Sequence, residues 1–330
     1  MPRSFPRRRS AVRACLMAAL ALALPLAAVA QQDNWPTRPI RIITPTTPGS
    51  STDYFPRTLG RYILAKSGQS VVVENKPGGS TVIGAELAKN AAPDGYTFFV
   101  SSVSSHSANP ALFAKLPYDP ARDFVEVGMF SIFPFMAVVH KDSAHKSISD
   151  VIAAAKAKPG KLTCGYSTAA SRVPCELLKA RGGLDIVTVS YKSAPQVLGD
   201  LAAGVIDFTI LDIMSASAGI KGGLLRPIGV TSPARSPQYP DVKAVAEALP
   251  GFEYEGWAGL SAPAGTPPAV LERMSRFVRE ALAEADFRNG IEQTGAHIRV
   301  TTPAEQLDYV IADRKRWKEW VRVANIPPID

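Results

Sequence analysis

The sequence predicts an α/β fold, with mainly parallel sheets flanked by helices on both faces. Short apolar runs rich in β-branched and aromatic residues alternate with stretches of helical periodicity, a pattern typical of βαβ units. Such runs are typical of strands that helices cover on both sides. The chain has 330 residues. About 300 of them follow an N-terminal export signal, which is enough for two domains with separate cores.

The first half of the chain reads as three strands with helices between them. Strands are predicted at Ile40–Thr44, Ser70–Asn75 and Tyr96–Ser102, where β-branched and aromatic residues concentrate. Helices are predicted at Asp53–Lys66 and Thr81–Asn90, where apolar residues recur at helical spacing. This order predicts a parallel sheet, because a helical crossover brings each strand back in the same direction.

A second set of elements begins with a strand at Phe135–His140. Ser147 and Asp150 form a capping box that starts a helix, which Pro159-Gly160 ends. Ser193 and Gln196 match the same capping pattern for a later helix. The remaining predicted elements are strands at 161–167, 185–191, 205–212 and 225–232, and helices from about Pro174, from Ala194 and along the C-terminal tail from Ala262.

Residues 1–30 are predicted to be an export signal that is removed. Five arginines precede an apolar run from Leu16 to Val29, and Ala28-Val29-Ala30 matches the small-residue pattern of a signal peptidase site. The apolar run is shorter than the roughly 20 residues that span a bilayer. Cleavage after Ala30 would release the protein into the periplasm, and retention as a membrane anchor is the alternative.

Export changes what the net charge says about partners. The formal charge of +8 counts 37 basic and 29 acidic residues. Without the five arginines of the export signal, 32 basic residues remain and the charge falls to +3. The chain therefore lacks the basic surface of a nucleic-acid-binding protein. The basic stretch around Trp317 is predicted to be a helix with a solvated charged face over an apolar stripe.

Cysteine and histidine give no sign of a metal centre. Cys164 and Cys175 are the cysteines that follow the export signal, and such a pair can form a disulfide in an oxidising compartment. The sequence leaves that bond open, because the geometry of the two residues can forbid it. The four histidines are scattered, and no Cys/His spacing resembles a metal site. No metal or other cofactor is expected.

The segments that follow the predicted strands are the candidate binding loops, because open α/β sheets bind ligands beyond the carboxyl ends of their strands. Four such segments, 46–53, 101–109, 165–172 and 212–215, are rich in Ser, Thr, Gly or Asn. The first leads from a strand into a helix start, an arrangement that holds anions on backbone amides. This composition favours hydrogen bonding to a polar, anionic ligand over covalent chemistry.

Several longer segments carry a family resemblance. They are 'PTRPIRIITPTTPGSSTD', 'VVVENKPGG', 'IGAELAKNAAPDGYT', 'NPALFAKLPYDPARDF', 'VSYKSAPQVLGDLAAGVIDF', 'LLRPIGVTSPARSPQYPDV' and 'GLSAPAGTPPAVLERM'. In this order they resemble the receptors of tripartite tricarboxylate transporters, also called the Bug family of periplasmic solute-binding proteins. Together they cover nearly all of the chain after the export signal.

The resemblance implies a two-lobed periplasmic binding protein of type II, with hinge crossovers between the lobes and the ligand in the cleft. The expected bounds are 36–137 plus 257–330 for one lobe and 138–256 for the other. The resemblance also implies capture of a small carboxylate, a monomeric receptor, and delivery to integral-membrane permease subunits. A periplasmic ligand sensor with the same binding fold is the alternative.

The resemblance further implies which residues contact the ligand. They are Thr47, Ser50, Ser51, Thr52, Asp53, Ser105, Asn109, Tyr166, Ser167, Arg172 and Asp212. Structural roles are the alternative, since Ser, Thr and Asp all cap helices. Asp53 is expected to fix the loop rather than touch a carboxylate, because like charges repel. The segment 78–80 reads as a tight turn, with an anion nest as the alternative.

Departures from the family pattern suggest a particular ligand. Thr46, Thr47 and Ser50 stand where the family usually has an aromatic residue, Pro and Gly, so that hydroxyl donors replace apolar bulk. Arg172 aligns with a position where the family usually has His. An Arg fork can bind a carboxylate bidentately. We therefore expect a ligand with a second carboxylate that Arg172 contacts, as in a dicarboxylate. An aromatic carboxylate is the other ligand class considered.

A serine hydrolase is the alternative from another class. Gly165–Ala169 is close to a nucleophile elbow that would present Ser167, with Ala169 in place of the final Gly. Asp212 and His297 follow in the chain order of a Ser-Asp-His triad. No HGGG oxyanion motif precedes the elbow, and the resemblance assigns this loop to ligand binding. The protein is therefore expected not to be an enzyme.

Overall fold

The computed structural model describes residues 34–293 and 295–329, with the side chain of Ser51 outside the description. The predicted export signal at 1–30 lies outside the described residues. The chain divides between Arg38 and Pro39 into two units, and every element named below lies in the second.

Ten strands in the described residues form one mixed sheet. They are β1 Ile40–Thr44, β2 Val71–Asn75, β3 Thr97–Ser102, β4 Phe124–His140, β5 Thr163–Tyr166, β6 Val187–Ser190, β7 Phe208–Asp212, β8 Leu225–Val230, β9 Glu255–Pro263 and β10 His297–Ile298. The order across the sheet is β2-β1-β3-β9-β4-β7-β5-β6, and β8 and β10 also pair with β4.

Helices cover this sheet. They are α1 Ser51–Ser67, α2 Val82–Lys89, α3 Asn109–Leu112, α4 Ile148–Ala157, α5 Ala169–Gly182, α6 Ala194–Ala202, α7 Ile213–Lys221, α8 Val245–Ala248, α9 Pro268–Ala283, α10 Ala285–Glu292 and α11 Pro303–Val323. A 3-10 turn at Gly79–Thr81 precedes α2, and a π-helical segment at Val103–Ala108 precedes α3. Ile40, Ile42 and Ile43 are all fully buried, as expected of a strand covered on both faces.

The two lobes meet on β4. β1, β2 and β3 pair in parallel in the first lobe, and β5, β6 and β7 do so in the second, as the alternating pattern predicts. Between them β4 and β9 run antiparallel to their neighbours, so the sheet is mixed at its centre. The partner of β4 changes from β9 to β7 between Pro134 and Phe135. The expected residue bounds of the lobes stay a prediction.

Capping signals were predicted correctly in one helix and wrongly in another. Ser147 and Asp150 form the capping box that starts α4. The predicted Ser193–Gln196 box does not form, because Gln196 Oε1 accepts a hydrogen bond from the Lys192 amide at 3.1 Å. Among the described residues, the Ser193 side chain makes no capping bond to α6.

The predicted start of α5 near Pro174 was wrong. The helix begins at Ala169, where Thr168 and Ser171 form a capping box, and Pro174 lies inside it. A proline has no amide hydrogen to give to the carbonyl four residues before it. That carbonyl, Ala170 O, instead accepts a hydrogen bond from the Tyr254 hydroxyl at 2.6 Å.

Helix α1 repeats this arrangement. Pro56 occupies the sixth position of α1, as Pro174 does in α5. The carbonyl that Pro56 leaves without an amide, Thr52 O, accepts a hydrogen bond from Thr44 Oγ1 at 3.1 Å. A side chain from outside the helix thus satisfies the interrupted turn in both cases.

The C-terminal helix α11 packs its apolar stripe inward, as the sequence predicts. Trp317 is fully buried and packs edge-on against Tyr254, with ring centroids 5.8 Å apart. Asp313, one turn earlier, accepts a hydrogen bond from Trp257 Nε1 at 2.9 Å. Across the described residues, no helix is both long and apolar enough to cross a membrane.

Candidate functional site

The loop after β1 carries a cluster of three hydroxyl groups. Thr46 Oγ1 lies 2.6 Å from Ser50 Oγ and also contacts Thr52 Oγ1. Ser50 Oγ further donates to Thr47 O at 3.1 Å. These hydroxyls meet because the loop folds back over the first turn of α1. They can rotate to donate to a bound anion, since a hydroxyl both donates and accepts.

Asp53 holds this loop in place, as expected. Its carboxylate accepts hydrogen bonds from the Gly49 amide at 3.0 Å, from the Arg57 guanidinium at 2.9 Å and from Asn75 Nδ2 at 2.8 Å. Burial alone would raise the pKa of Asp53, but these hydrogen bonds outweigh it and lower the pKa. Asp53 therefore stays ionised with all its partners inside the protein.

Gly49 is required by the backbone of the same loop. Its φ is +87°, a region that residues with a Cβ rarely adopt. This conformation aims the Gly49 amide at Asp53. A larger residue at this position would disturb the entrance to α1.

Four helices begin at one cavity. Their N-cap residues, Ser50 of α1, Thr168 of α5, Ser193 of α6 and Asp212 of α7, all line it. The positive ends of four helix dipoles therefore point toward the same space. Each of these helices follows the carboxyl end of a strand, which is where open α/β sheets bind ligands.

The four helix starts differ in whether the N-cap side chain accepts a hydrogen bond from a backbone amide of the first turn. The Thr168 side chain accepts from Ser171 N at 3.2 Å, and Asp212 accepts from Ser215 N at 3.0 Å. Within the described residues, neither Ser50 nor Ser193 makes a side-chain capping bond to its own helix. The starts of α1 and α6 are therefore better placed to receive an anion.

Part of the cavity wall is aromatic. Phe133 and Phe135 are two residues apart on β4 and so project from the same face of the strand. Their ring centroids are 6.0 Å apart. Both rings lie over Gly256 of β9, where an added Cβ would approach Phe133 Cε2 to 2.5 Å and Phe135 Cε2 to 2.9 Å. The two rings fit at this position because Gly256 has no side chain.

The cavity is small and lined by both lobes. Its volume is about 70 Å³, against roughly 10–15 Å³ for one water. The residues that line it are Pro45, Thr46, Thr47, Ser50, Thr52, Pro77, Gly78, Thr81, Val103, Phe133, Phe135, Ser167, Thr168, Ala170, Ser171, Lys192, Ser193, Ala194, Leu211, Asp212 and Ser215. Hydroxyl groups dominate the polar part, and Lys192 is the basic side chain among these residues.

The structure brings together five of the residues predicted to contact the ligand. Thr47, Ser50, Thr52, Ser167 and Asp212 line the cavity. The prediction for Ser51 concerns a side chain outside the described part of the structure. Five other predicted contact residues do not line the cavity in the described part of the structure and instead contact other parts of the protein. They are Asp53, Ser105, Asn109, Tyr166 and Arg172.

Ser105 and Asn109 shape the wall behind the cavity. Ser105 completes a capping box with Ser102 at the start of the π-helical segment. Asn109 is fully buried, and its Nδ2 donates to Ser80 O at 2.9 Å and to Tyr118 Oη at 3.1 Å. Both residues therefore fix the backbone that carries the cavity wall.

Arg172 points away from the cavity lining. Its side chain is 8% exposed, and its Nη2 donates to Pro327 O at 3.4 Å. Nε lies 4.0 Å from a Glu176 carboxylate oxygen, and the guanidinium sits over the Tyr166 ring at 5.9 Å from its centroid. Because α5 begins five residues earlier than expected, Arg172 lies at its fourth position and packs against α5 and the C-terminal segment.

The lining residues that the sequence reasoning missed include Lys192, Phe133 and Phe135. Lys192 follows β6, and the rule applied to the other strand ends would have pointed to it. Phe133 and Phe135 lie two residues apart in the apolar run 'FSIFPFM'. That run gives the shared face of the two rings but not the Gly256 that they cover, since Gly256 lies more than 120 residues along the chain.

Cys164 and Cys175 are joined by a disulfide, with their Cα atoms 6.4 Å apart. Both residues are fully buried. The bond ties β5 to α5, so it fixes the strand and helix on either side of Ser167 and Thr168. The disulfide therefore restrains the position of the loop at Ser167 and Thr168, which lines the cavity.

Other kinds of site find no support in the described residues. No group of three or more His, Cys, Asp or Glu side chains there could hold a metal ion. In the elbow-like segment, the backbone amide of Ser167 donates a hydrogen bond to Ser171 Oγ at 3.0 Å. His297 is exposed and pairs through its backbone with Ile132 of β4.

Comparisons with known proteins agree with this geometry. The sequence profile of the tripartite tricarboxylate transporter family receptor matches residues 57–326. Protein BugT of Bordetella pertussis is 32% identical over 301 residues, which cover 90% of this chain and 92% of BugT.

Two solved structures are similar along nearly the whole chain. R. palustris Rpa4515, solved with adipate, has a TM-score of 0.86 and 30% identity, covering 89% of this chain and 100% of its own. MatC from Rhodopseudomonas palustris, solved with bound malate, has a TM-score of 0.81 and 28% identity, covering 87% of this chain and 100% of its own. The profile match extends over most of the chain, and the chain therefore belongs to the receptor family of the tripartite tricarboxylate transporters.

Proposed function

We propose that this protein captures a small organic carboxylate by closing its two lobes around it, and presents the ligand to the permease subunits of a tripartite transporter. The observation that carries the proposal is the cavity: helix N-termini, hydroxyl groups and two aromatic rings line it together, at strand ends from both lobes. Such a cavity suits a ligand that is anionic at one end and apolar along its body.

The carboxylate would bind at the starts of α1 and α6. Both helix ends can stabilise a negative charge through their dipoles and amides. The hydroxyls of Thr46, Ser50 and Thr52 would turn toward the carboxylate and replace part of its water shell. Asp212 accepts from Ser215 N and would repel a carboxylate, so its side of the cavity suits a ligand hydroxyl or a water.

The apolar body of the ligand would lie on Phe133 and Phe135. Burying apolar ligand surface contributes about 25 cal/mol per Å², and the two rings supply a wall for it. Leu211 and Val103 add further apolar side chains to the cavity lining. An aliphatic or aromatic chain between two polar ends therefore fits better than a compact polyhydroxy compound.

We further propose that the ligand is a dicarboxylate whose second carboxylate meets Lys192. Lys192 lines the cavity. Among the described residues of the lining, its side chain is the one that carries a positive charge. Adipate and malate, bound by two similar receptors, both carry two carboxylates. Arg172, which the sequence favoured for this role, packs against Glu176 and Pro327 instead.

Binding would proceed without covalent chemistry. A serine nucleophile needs a general base within hydrogen-bond reach, and among the described residues Ser167 Oγ has no imidazole or carboxylate partner. Membership of a receptor family supports the same conclusion. The ligand would therefore leave the cleft unchanged when the lobes reopen.

A thermal-shift and calorimetry screen tests the proposal. Mono-, di- and tricarboxylates with aliphatic and aromatic bodies are added to the purified protein. We expect dicarboxylates to raise the melting temperature as their concentration exceeds Kd. No shift with any carboxylate, together with hydrolysis of an ester substrate, would overturn the proposal in favour of the Ser167 hydrolase.

The transport role needs a separate test, since a sensor could use the same cavity. Uptake of the radiolabelled ligand found in the screen is measured in cells with and without the gene. Loss of uptake in the deletion strain supports delivery to a transporter. Unchanged uptake, with loss of a transcriptional response to the ligand, would favour the sensor.

A further inference from the structure

Two hydrogen bonds cross the cleft behind the cavity. The Ala169 amide donates to Ser80 Oγ at 2.6 Å, and the Ala170 amide donates to Ser104 Oγ at 3.3 Å. Ala169 and Ala170 are the first two residues of α5, in the second lobe. Ser80 and Ser104 follow β2 and β3, in the first lobe. Serines of one lobe thus cap the first turn of a helix in the other.

Ser80 reaches across because its backbone is held in an unusual conformation. The run Gly78, Gly79, Ser80 and Thr81 has φ values of 120°, 55°, 53° and 80°. Left-handed φ is common for glycine but uncommon for Ser and rarer still for a β-branched residue such as Thr. Backbone strain of this kind persists where the surroundings enforce it, and it concentrates at sites of function.

Asn109 enforces this turn. Its side-chain amide donates to Ser80 O at 2.9 Å and to Thr81 Oγ1 at 3.2 Å. Tyr118, which Asn109 also contacts, donates to Ser105 O at 2.7 Å. Asn109 is fully buried and Tyr118 is 3% exposed. The turn is therefore preformed by the first lobe, independently of what the second lobe does.

We propose that Ser80 and Ser104 form an interlobe latch that holds the cleft closed and keeps α5 out of ligand binding. Thr168 Oγ1 accepts a hydrogen bond from the Ser171 amide. Together the three side chains therefore accept from the first three amides of α5, those of Ala169, Ala170 and Ser171. A ligand carboxylate is thereby directed to α1 and α6, and the closed state is stabilised before any ligand arrives. The latch rests on the two-lobed fold and not on the identity of the ligand.

The latch predicts a uniform effect on affinity. A receptor that must close to bind has an apparent Kd raised by the inverse of its closed fraction. Loss of the latch lowers that fraction for every ligand alike. Two hydrogen bonds of ordinary net strength change the ratio of closed to open protein by roughly 5- to 150-fold, which is the upper limit for the loss of affinity. Loss of a direct contact to the second carboxylate would instead weaken dicarboxylates and spare monocarboxylates.

Small-angle X-ray scattering of the ligand-free protein is the first test. We expect the wild type to scatter as the closed form, and the Ser80→Ala/Ser104→Ala variant to show a larger radius of gyration. Ser80→Gly tolerates the left-handed turn and removes the hydroxyl, so it separates loss of the latch from misfolding. Ser217→Ala is the matched control, because Ser217 contacts Tyr239 within the second lobe. Identical profiles for wild type and double variant, or an open wild type, would overturn the latch.

Calorimetry with adipate and hexanoate is the second test. We expect both affinities of the double variant to fall by the same factor, and those of Ser217→Ala to match the wild type. A loss confined to adipate would overturn the latch, since it would mark a direct contact. If neither compound binds the wild type, a mono- and a dicarboxylate that bind in the thermal-shift screen replace them, and the scattering result still decides the latch.

Discussion

Lys192 supplies the positive charge on the cavity wall, and its replacement should reveal the second carboxylate of the ligand. We expect Lys192→Gln to weaken dicarboxylate binding by about 2- to 5-fold, because Lys192 is exposed and a solvated ion pair contributes about 0.4–1 kcal/mol. Binding of a monocarboxylate of equal chain length should change less than twofold, within the scatter of surface substitutions. Isothermal titration calorimetry with adipate and hexanoate measures both.

Arg172 and Lys158 provide the comparison for this experiment. Lys158 is exposed in the second lobe, beside α4, so Lys158→Gln should bind like the wild type. Arg172→Gln should lower stability, because Arg172 is buried against Glu176, without selecting between the two ligands. Selective loss of dicarboxylate binding in Arg172→Gln, and not in Lys192→Gln, would show that Arg172 contacts the second carboxylate instead of Lys192.

Gly256 gives the aromatic wall its position. In Gly256→Ala the new Cβ would come within 2.5 Å of Phe133, so the rings must shift into the cavity. We expect affinity for an aliphatic dicarboxylate to fall at least tenfold, with about 1–3 kcal/mol lost from the free energy of unfolding through overpacking. Gly199→Ala is the control, because a Cβ there meets nothing within 4 Å. Equal affinity of Gly256→Ala and wild type would contradict this account of the wall.

At the scale of elements, the first turn of α5 depends on Tyr254. The Tyr254 hydroxyl donates a hydrogen bond to Ala170 O, the carbonyl that Pro174 leaves without an amide donor. We expect Tyr254→Phe to lower the free energy of unfolding by about 1–3 kcal/mol, since a buried carbonyl loses its partner. The loss should shrink in the Pro174→Ala background, where an alanine amide can take over.

A double-mutant cycle by urea denaturation measures this coupling. Tyr239→Phe serves as a matched control, since the Tyr239 hydroxyl pairs with the Ser217 side chain and touches no proline-interrupted turn. Additive effects of Tyr254→Phe and Pro174→Ala would show that the hydroxyl does not replace the missing amide.

Three elements of the first lobe meet at a buried carboxyl group. Glu126 of β4 accepts hydrogen bonds from Ser261 of β9, at 2.6 Å, and from Gln306 of α11. Burial raises the pKa of Glu126 to about 7, although the Ser261 hydrogen bond and the Arg314 charge lower it. His106 lies 3.8 Å away, and burial followed by Arg314 holds its pKa well below the usual value of 6.5.

The two groups act on stability in opposite directions. Between pH 4.5 and about 7 the unfolded chain releases the Glu126 proton and the folded protein keeps it, so stability falls as pH rises. His106 stays neutral when folded, so its contribution is lost as pH falls below 6.5. In Glu126→Gln the His106 effect remains alone. Relative to the wild type, this variant should gain up to about 3 kcal/mol between pH 4.5 and 7.

Urea denaturation at pH 5 and pH 7.5 tests this prediction. Glu272→Gln, at an exposed position of α9, should follow the wild type at both pH values. A difference between Glu126→Gln and wild type that stays constant with pH would mean that Glu126 does not titrate in this range.

For the whole molecule, local signals were predictable from the sequence and long-range placement was not. The Ser147–Asp150 capping box and the bounds of β1 follow from neighbouring residues, and both are as predicted. β4 was predicted as a short strand at Phe135–His140. It starts eleven residues earlier, at Phe124, because pairing with β9 sustains it through Pro134.

The site divides in the same way. Ser50, Thr52 and Asp212 were found because they follow strands in the sequence, and strand ends share one edge of the sheet. Arg172 was predicted to face the cavity from an alignment of loop lengths, which fails when the helix starts earlier. Lys192 follows β6 and could have been found by the same rule. Phe133 lines the cavity through the pairing of β4 with β9, which no short stretch of sequence contains.

The first turn of α5 also has a consequence for how the protein becomes functional. Ser80, Ser104 and Tyr254, which complete that turn, lie 66 to 89 positions away in the chain. Contacts between such distant residues close long loops and form late in folding. A chain emerging from the ribosome therefore lacks this turn until Tyr254 has been synthesised. Pulsed hydrogen exchange during refolding should show the amides of Ala169 and Ala170 protected after those of α4, so that competence to bind is acquired at the end of folding.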